Sequence, residues 1–157
     1  MPKCNAFNNH MCITVAGSWR PCCRFNNFPH VDITKTSFTD YKQSEFYQGV
    51  VNNMDTGWDE GCKKCMKEED RGHTSLRQVL NKEFSGTTDL EYIELSLSNK
   101  CNLACKMCAP TYSTLWNKLV EQNSNLKQFH HTVVQPKIDV PSIFADVNLH
   151  KLKKIKY

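Results

Sequence analysis

No apolar run in the 157 residues approaches the roughly 18 that a membrane-crossing helix needs. No basic stretch runs into an apolar one after Met1, so no secretory leader is expected. A Ser-His-Asp set is missing, as is a glycine loop able to cradle phosphate. Internal repeats and low-complexity tracts are missing too. The net charge of +4 is too small to make a nucleic-acid case by itself. What is abundant is cysteine: nine of them, an odd number that cannot close into disulfides within one chain. Many cysteines without a leader point to metal or iron–sulfur ligation in a reducing compartment, hence a cytoplasmic setting. With 39% apolar and 23% charged residues the chain is globular in class.

Period and punctuation divide the chain. Residues 11–15 and 19–25 read as two strands joined by a hairpin at 16–18. The polar stretch 26–42 reads as loop. Ser44 caps a helix to about Met54, with Phe46, Tyr47, Val50 and Val51 on one side. Residues 62–71 are helix-compatible and stop at Gly72. Ser75 opens a helix to about Phe84, with Leu76, Val79 and Leu80 at i, i+3, i+4. Residues 86–89 look like a linker. Residues 90–97 alternate as a strand whose apolar face carries Ile93, Leu95 and Leu97. Thr111 or Ser113 starts a helix containing Leu115, Trp116, Leu119 and Val120. Residues 122–139 are weakly periodic, with disorder expected in part. Pro141-Ser142 opens a last helix using Ile143, Phe144, Val147 and Leu152, and 153–157 turn into a new strand.

Two cysteine sets carry the chemistry. Cys101, Cys105 and Cys108 are spaced C-x3-C-x2-C on a loop between strand and helix. Three thiolates around a cubane leave one iron open to a small molecule. The spacing also fits a buried helical stripe or a zinc site. Asn102 and Lys106 interleave the set and Pro110 follows it, which argues against the stripe. The second set is Cys4, Cys22, Cys62 and Cys65, built on the two-point claw Cys62-Lys63-Lys64-Cys65. Its spacing alone leaves zinc and iron–sulfur nearly even. Cys12 has no assigned role. His130-His131 reads as solvent-facing. Lys151, Lys153, Lys154 and Lys156 read as a solvated helix face rather than a nucleic-acid patch.

The stretch Cys101-Asn102-Leu103-Ala104-Cys105-Lys106-Met107-Cys108, preceded by Tyr92-Ile93-Glu94-Leu95-Ser96, resembles the radical S-adenosylmethionine family. The resemblance implies a [4Fe–4S] cluster on Cys101, Cys105 and Cys108. In that family S-adenosylmethionine binds the open iron and is split by an electron to methionine and a 5′-deoxyadenosyl radical, and the resemblance implies the same here. Met107 stands where an aromatic residue commonly lies near adenine, making it the expected cofactor contact. The pattern Cys4…His10…Gly17…Pro21-Cys22-Cys23, then Trp58…Gly61-Cys62…Cys65…Glu69…Gly72…Ser75…Arg77, is similar to the half-size SPASM, or twitch, domain. That likeness implies a second, auxiliary [4Fe–4S] cluster on Cys4, Cys22, Cys62 and Cys65. Of the adjacent Cys22 and Cys23, Cys22 is the expected ligand.

The fold implied is α/β with an α+β N-terminal region. Residues 1–85 form a twitch-like hairpin-plus-helices domain, 86–89 the linker, and 90–157 the first βα unit of an incomplete β/α barrel. The family's Gly-Gly-Glu segment is not present, so the chain is expected to be an N-terminal part of a larger enzyme and inactive alone. An isolated first unit would leave 92–97 as an unpaired strand edge. Expected partners are S-adenosylmethionine, an electron donor such as a flavodoxin or ferredoxin, a peptide or small metabolite as substrate, and a chain completing the barrel. Neither a membrane nor a nucleic acid is expected. The alternative is a non-enzymatic zinc module contacting nucleic acid.

Overall fold

The computed structural model describes residues 2–132 and 136–157. A one-turn helix, α1 (Ala6–Asn9), runs straight into strand β1 (His10–Ile13). Gly17 turns the chain with φ at +69° and lies against Pro136. Strand β2 (Trp19–Arg20) then returns antiparallel, Cys12 opposite Arg20 and Ile13 opposite Trp19. The strand expected over 19–25 stops after two residues because Pro21 has no N–H to give the ladder.

Helix α2 (Phe38–Gln43) lies where loop was expected. Ser37 caps it by accepting from the Asp40 N–H, and Phe38 and Tyr41 bury the i, i+3 face. Ser44 caps α3 (Glu45–Thr56) as expected, burying Tyr47, Val50 and Met54. A 3-10 turn over Glu60–Cys62 leads into α4 (Lys63–Asp70), and α5 (Leu76–Glu83) opens with a full Ser75/Gln78 capping box.

Strand β3 (Tyr92–Leu95) follows. After the cysteine loop come α6 (Thr114–Gln122), α7 (Ser124–Lys127), the single turn α8 (Val140–Ile143) and strand β4 (Lys154–Lys156). The last helix ends at Ile143 rather than reaching Leu152. Residues 133–135 of the weakly periodic stretch lie outside the described residues.

The four strands form one mixed sheet in the order β2-β1-β3-β4, with β1∥β3 and β3∥β4. The protein is therefore α/β, with a small open sheet and helices around it. Strand β3 is interior, not the unpaired edge expected of an isolated unit; β1 covers one side and β4 the other.

Alternation sorts the sheet into two faces. Met11, Ile13, Trp19, Ile93 and Leu95 share one, and there Trp19 packs 5.3 Å from Phe38 and 6.1 Å from Tyr41, ring centre to ring centre. Trp19 Nε1 donates to Thr36 O at 2.8 Å, so the buried indole is satisfied. His10, Cys12, Arg20, Tyr92, Glu94, Lys154 and Lys156 share the other. The C-terminal lysines are thus not a solvated helix face. Lys153 meets Glu91 at 2.6 Å, Lys154 meets Glu83 at 3.2 Å and Lys156 meets Glu94 at 2.8 Å.

Residues 86–89, the expected linker, are bolted to α1. Asn9 Nδ2 donates to Thr87 O (2.7 Å) and Asp89 O (2.8 Å), while Asn9 Oδ1 accepts from Gly86 N (3.0 Å). Asn5 Nδ2 reaches Phe84 O and Asn8 Nδ2 reaches Gly86 O. Asn9 is fully buried. Asn9→Ala should therefore cost roughly 2–4 kcal/mol, the penalty for orphaning such groups. Urea unfolding checks this, and an exposed control such as Asn52→Ala should move by less than about 0.5 kcal/mol.

Candidate functional site: two sets of thiols

Cys4 lies just before α1, Cys22 in the turn after β2, Cys62 at the end of the 3-10 turn and Cys65 in the first turn of α4. All four line one pocket with Phe7, Phe25, Met54, Trp58, Leu80, Arg24 and Arg77. Segments 18 to 61 residues apart in sequence are thereby gathered around one hollow. Gly61 permits it: a Cβ there would strike the Phe25 ring. Asp59 holds the turn that presents Cys62, its carboxylate accepting from the Gly61 N–H at 2.7 Å.

Burial pushes the Cys4 thiol up to about 11 and the Cys62 thiol up to about 12. Both shifts favour the protonated thiol near neutral pH, so ligation by these sulfurs releases protons. Cys23 is not in this pocket. It faces a hollow on the polar side of the sheet, lined also by Cys12, Arg20, Glu94, Ser96, Thr111 and Tyr112. A hydrogen bond with Cys22, then burial, holds the Cys23 thiol far above its usual range.

Cys101 and Cys108 are half-buried and Cys105 is exposed. The loop that carries them is not helical, so no buried helical stripe exists there. It is tied down by the start of α6. Thr114 Oγ1 donates to Cys101 O (2.8 Å), Ser113 Oγ donates to Leu103 O (2.6 Å) and Trp116 Nε1 donates to Cys105 O (3.0 Å). Met107 is fully exposed and touches no core residue. His130 packs its ring 5.9 Å from Trp116.

Among the described residues no three His, Cys, Asp or Glu side chains converge closely enough to hold a metal ion. A single zinc ion needs its sulfurs about 2.3 Å away on every side. Thiols set around a hollow suit a larger thiolate-bound group, and iron–sulfur clusters are most often held by cysteine thiolates. The donor chemistry of the four-cysteine pocket fits such a group, and the three-cysteine loop offers the same donors with one position fewer. No helix among the described residues is long and apolar enough to cross a membrane.

Sequence reading gave no role to His10, Cys12 or Glu94. His10 is 2% exposed, stacks on Tyr92 at 4.3 Å, and has no hydrogen-bond partner for either ring nitrogen. The signal was the alternation of β1 and β3, whose register puts His10 beside Tyr92 and Cys12 beside Glu94. Comparison of the chain with family models, with curated proteins and with solved structures finds no match.

Burial lowers the His10 pKa from 6.5 to about 4. The unfolded chain then binds a proton below pH 6.5 that the native state refuses, so stability is full above that pH and falls as pH drops towards 4. The loss should approach about 3 kcal/mol. His10→Phe keeps the stack on Tyr92 and should flatten this part of the pH dependence of urea unfolding.

Proposed function

We propose that this chain is part of a radical S-adenosylmethionine enzyme with two iron–sulfur sites. Cys101, Cys105 and Cys108 hold the cluster that meets S-adenosylmethionine; Cys4, Cys22, Cys62 and Cys65 hold an auxiliary one. The observation that carries the reading is the gathering of Cys4, Cys22, Cys62 and Cys65 around one pocket, while the C-x3-C-x2-C loop stands apart after β3.

When bound, the first cluster supplies the electron that splits S-adenosylmethionine, and the work of this chain is positional. Ser113, Thr114 and Trp116 fix the carbonyls of the loop, so its three sulfurs are presented from a set backbone. The open position of that cluster follows from having three thiols rather than four. Met107, fully exposed, is free to lie on a purine face.

The polar hollow between the sites is where a substrate would sit. It runs from Cys23, next to the auxiliary ligand Cys22, to Thr111 and Tyr112 just past the three-thiol loop. It lies at the carboxyl ends of β1 and β3, the end of a parallel sheet at which ligands bind. Twitch-like and barrel-like units, 1–85 and 90–157, are part of the same proposal, as is a donor of the flavodoxin or ferredoxin kind.

Anaerobic loading with iron and sulfide tests the reading. The parent chain should bind about eight irons and turn brown, as two [4Fe–4S] sites require. A Cys101→Ala/Cys105→Ala/Cys108→Ala variant should keep about half of that iron, and Cys62→Ala/Cys65→Ala the other half. A colourless parent holding zinc, or a folded variant of either kind that loses all its iron, would sink the two-site model.

A further inference from the structure

Two arginines stand in the wall of the four-cysteine pocket, Arg24 and Arg77. Each is backed by a glutamate of α4, the helix that carries Cys65. Arg24 Nη1 donates to both carboxylate oxygens of Glu68 at 2.6 Å. Arg77 Nε and Nη2 donate to Glu69 Oε1 (2.9 Å) and Oε2 (2.6 Å). Neither glutamate lines the pocket. Both ion pairs are therefore oriented, with the cation at the cavity wall and the anion behind it.

Arg77 is also fixed in every other direction. Its guanidinium lies 5.4 Å over the Trp58 ring, another wall residue, and its Nη1 donates to Lys3 O at 2.8 Å. That carbonyl belongs to the residue before Cys4. Asn81, one turn further along α5, donates to the same carbonyl at 2.7 Å and accepts from the Asn5 N–H at 2.7 Å. The peptides on both sides of Cys4 are thus held by α5, and α5 is held to α4 through Arg77 and Glu69. Ser75 Oγ completes the bracket by donating to Glu69 Oε1 at 2.6 Å.

We propose that Arg77 is a positioning residue with two separable effects on the group held by Cys4, Cys22, Cys62 and Cys65. It sets the register of Cys4, and together with Arg24 it raises the reduction potential of that group. The inference rests on the auxiliary-cluster reading above.

A group bound by four thiolates is anionic, and one-electron reduction makes it more so. A cation held in a low-dielectric wall favours the more negative state, and it needs no reorganisation when the electron arrives. The glutamate behind each arginine weakens this effect without cancelling it, because the positive end of each pair is nearer the cavity. The electron comes from the chemical reductant, and no bond is made or broken in the step.

The test uses the chain carrying Cys101→Ala/Cys105→Ala/Cys108→Ala, so that one site is read. It is loaded anaerobically with iron and sulfide, then titrated with dithionite under EPR. Arg77→Gln should shift the potential negative, so that the reduced-to-oxidised ratio at a fixed potential falls at least about tenfold, or 59 mV for one electron. Arg24→Gln should shift it the same way while leaving the Lys3 clamp intact. Arg77→Lys keeps the charge and loses the fork, so the ratio should stay within about threefold of the parent while iron is lost faster to a chelator. Asn81→Ala removes its bonds to Lys3 O and the Asn5 N–H and no charge; it should speed iron loss and leave the potential alone.

Failure of Arg77→Gln to hold iron supports the register effect, and Arg24→Gln then carries the potential measurement. A loaded Arg77→Gln chain with the parent's potential overturns the inference, as does an equal shift in Arg77→Lys and Arg77→Gln. A parent that takes up no iron and sulfide overturns the auxiliary-cluster reading itself, a result distinct from either.

Discussion

The parallel ladder between β1 and β3 forces residues 14–91 to leave the sheet and come back to it. Parallel neighbours cannot be joined by a tight turn, so the intervening chain must cross over and pack on a face. That crossover contains β2, the helices α2 to α5, and three of the four pocket cysteines. The fourth, Cys4, sits just ahead of β1 and is carried by the same ladder. If the ladder slipped by one residue, Met11 and Ile13 would exchange faces with His10 and Cys12, and the aromatic core around Trp19 would open. The asparagines of α1 guard against such a slip, because Asn9 grips the backbone at 86, 87 and 89 just before β3 begins.

Local signals in the sequence were strong where one side chain settles one backbone. Ser44, Ser75 and Ser113 each accept from an N–H of the first helical turn, and those helix starts were legible. The alternation of 90–97 gave β3, and the claw at 62–65 gave the core of the pocket. What was hidden depends on partners far along the chain. A linker and a bolted segment have the same composition, and 86–89 became the latter because Asn8 and Asn9 reach it from about 78 residues away, with Asn5 gripping Phe84 O just before it. Helix α2 was obscured by polar neighbours on both sides, although Ser37 with Phe38 and Tyr41 carried its signal. The lysines near the C-terminus looked solvated because their carboxylate partners Glu83, Glu91 and Glu94 lie 62 to 71 residues earlier.

The sheet also separates the two thiol sets. Strand β2 runs antiparallel to β1, so Cys22, two residues past Arg20, lies towards the amino end of β1. Cys101 follows the carboxyl end of β3, which is parallel to β1. The sets therefore sit at opposite ends of the strands, and at about 3.3 Å per residue four residues of strand span on the order of 10 Å.

The polar face bridges that gap. Cys12, Arg20, Glu94 and Lys156 stand side by side across the four strands. Burial drives the Glu94 carboxyl upward, but hydrogen bonds from Lys156, Cys23 and Tyr92 outweigh it, and the group stays below the usual carboxylate range. An anion at mid-sheet, paired with Lys156, is costly unless each polar atom is satisfied, and Glu94 is satisfied at both oxygens. His10 beside it makes no hydrogen bond through either ring nitrogen, although its Nε2 lies 4.0 Å from Glu94 Oε2. Each face of the same sheet thus carries both kinds of polar atom: in the aromatic core Trp19 Nε1 is paired and the Tyr41 hydroxyl is not, while on the other face Glu94 is paired and the His10 ring nitrogens lack a hydrogen bond.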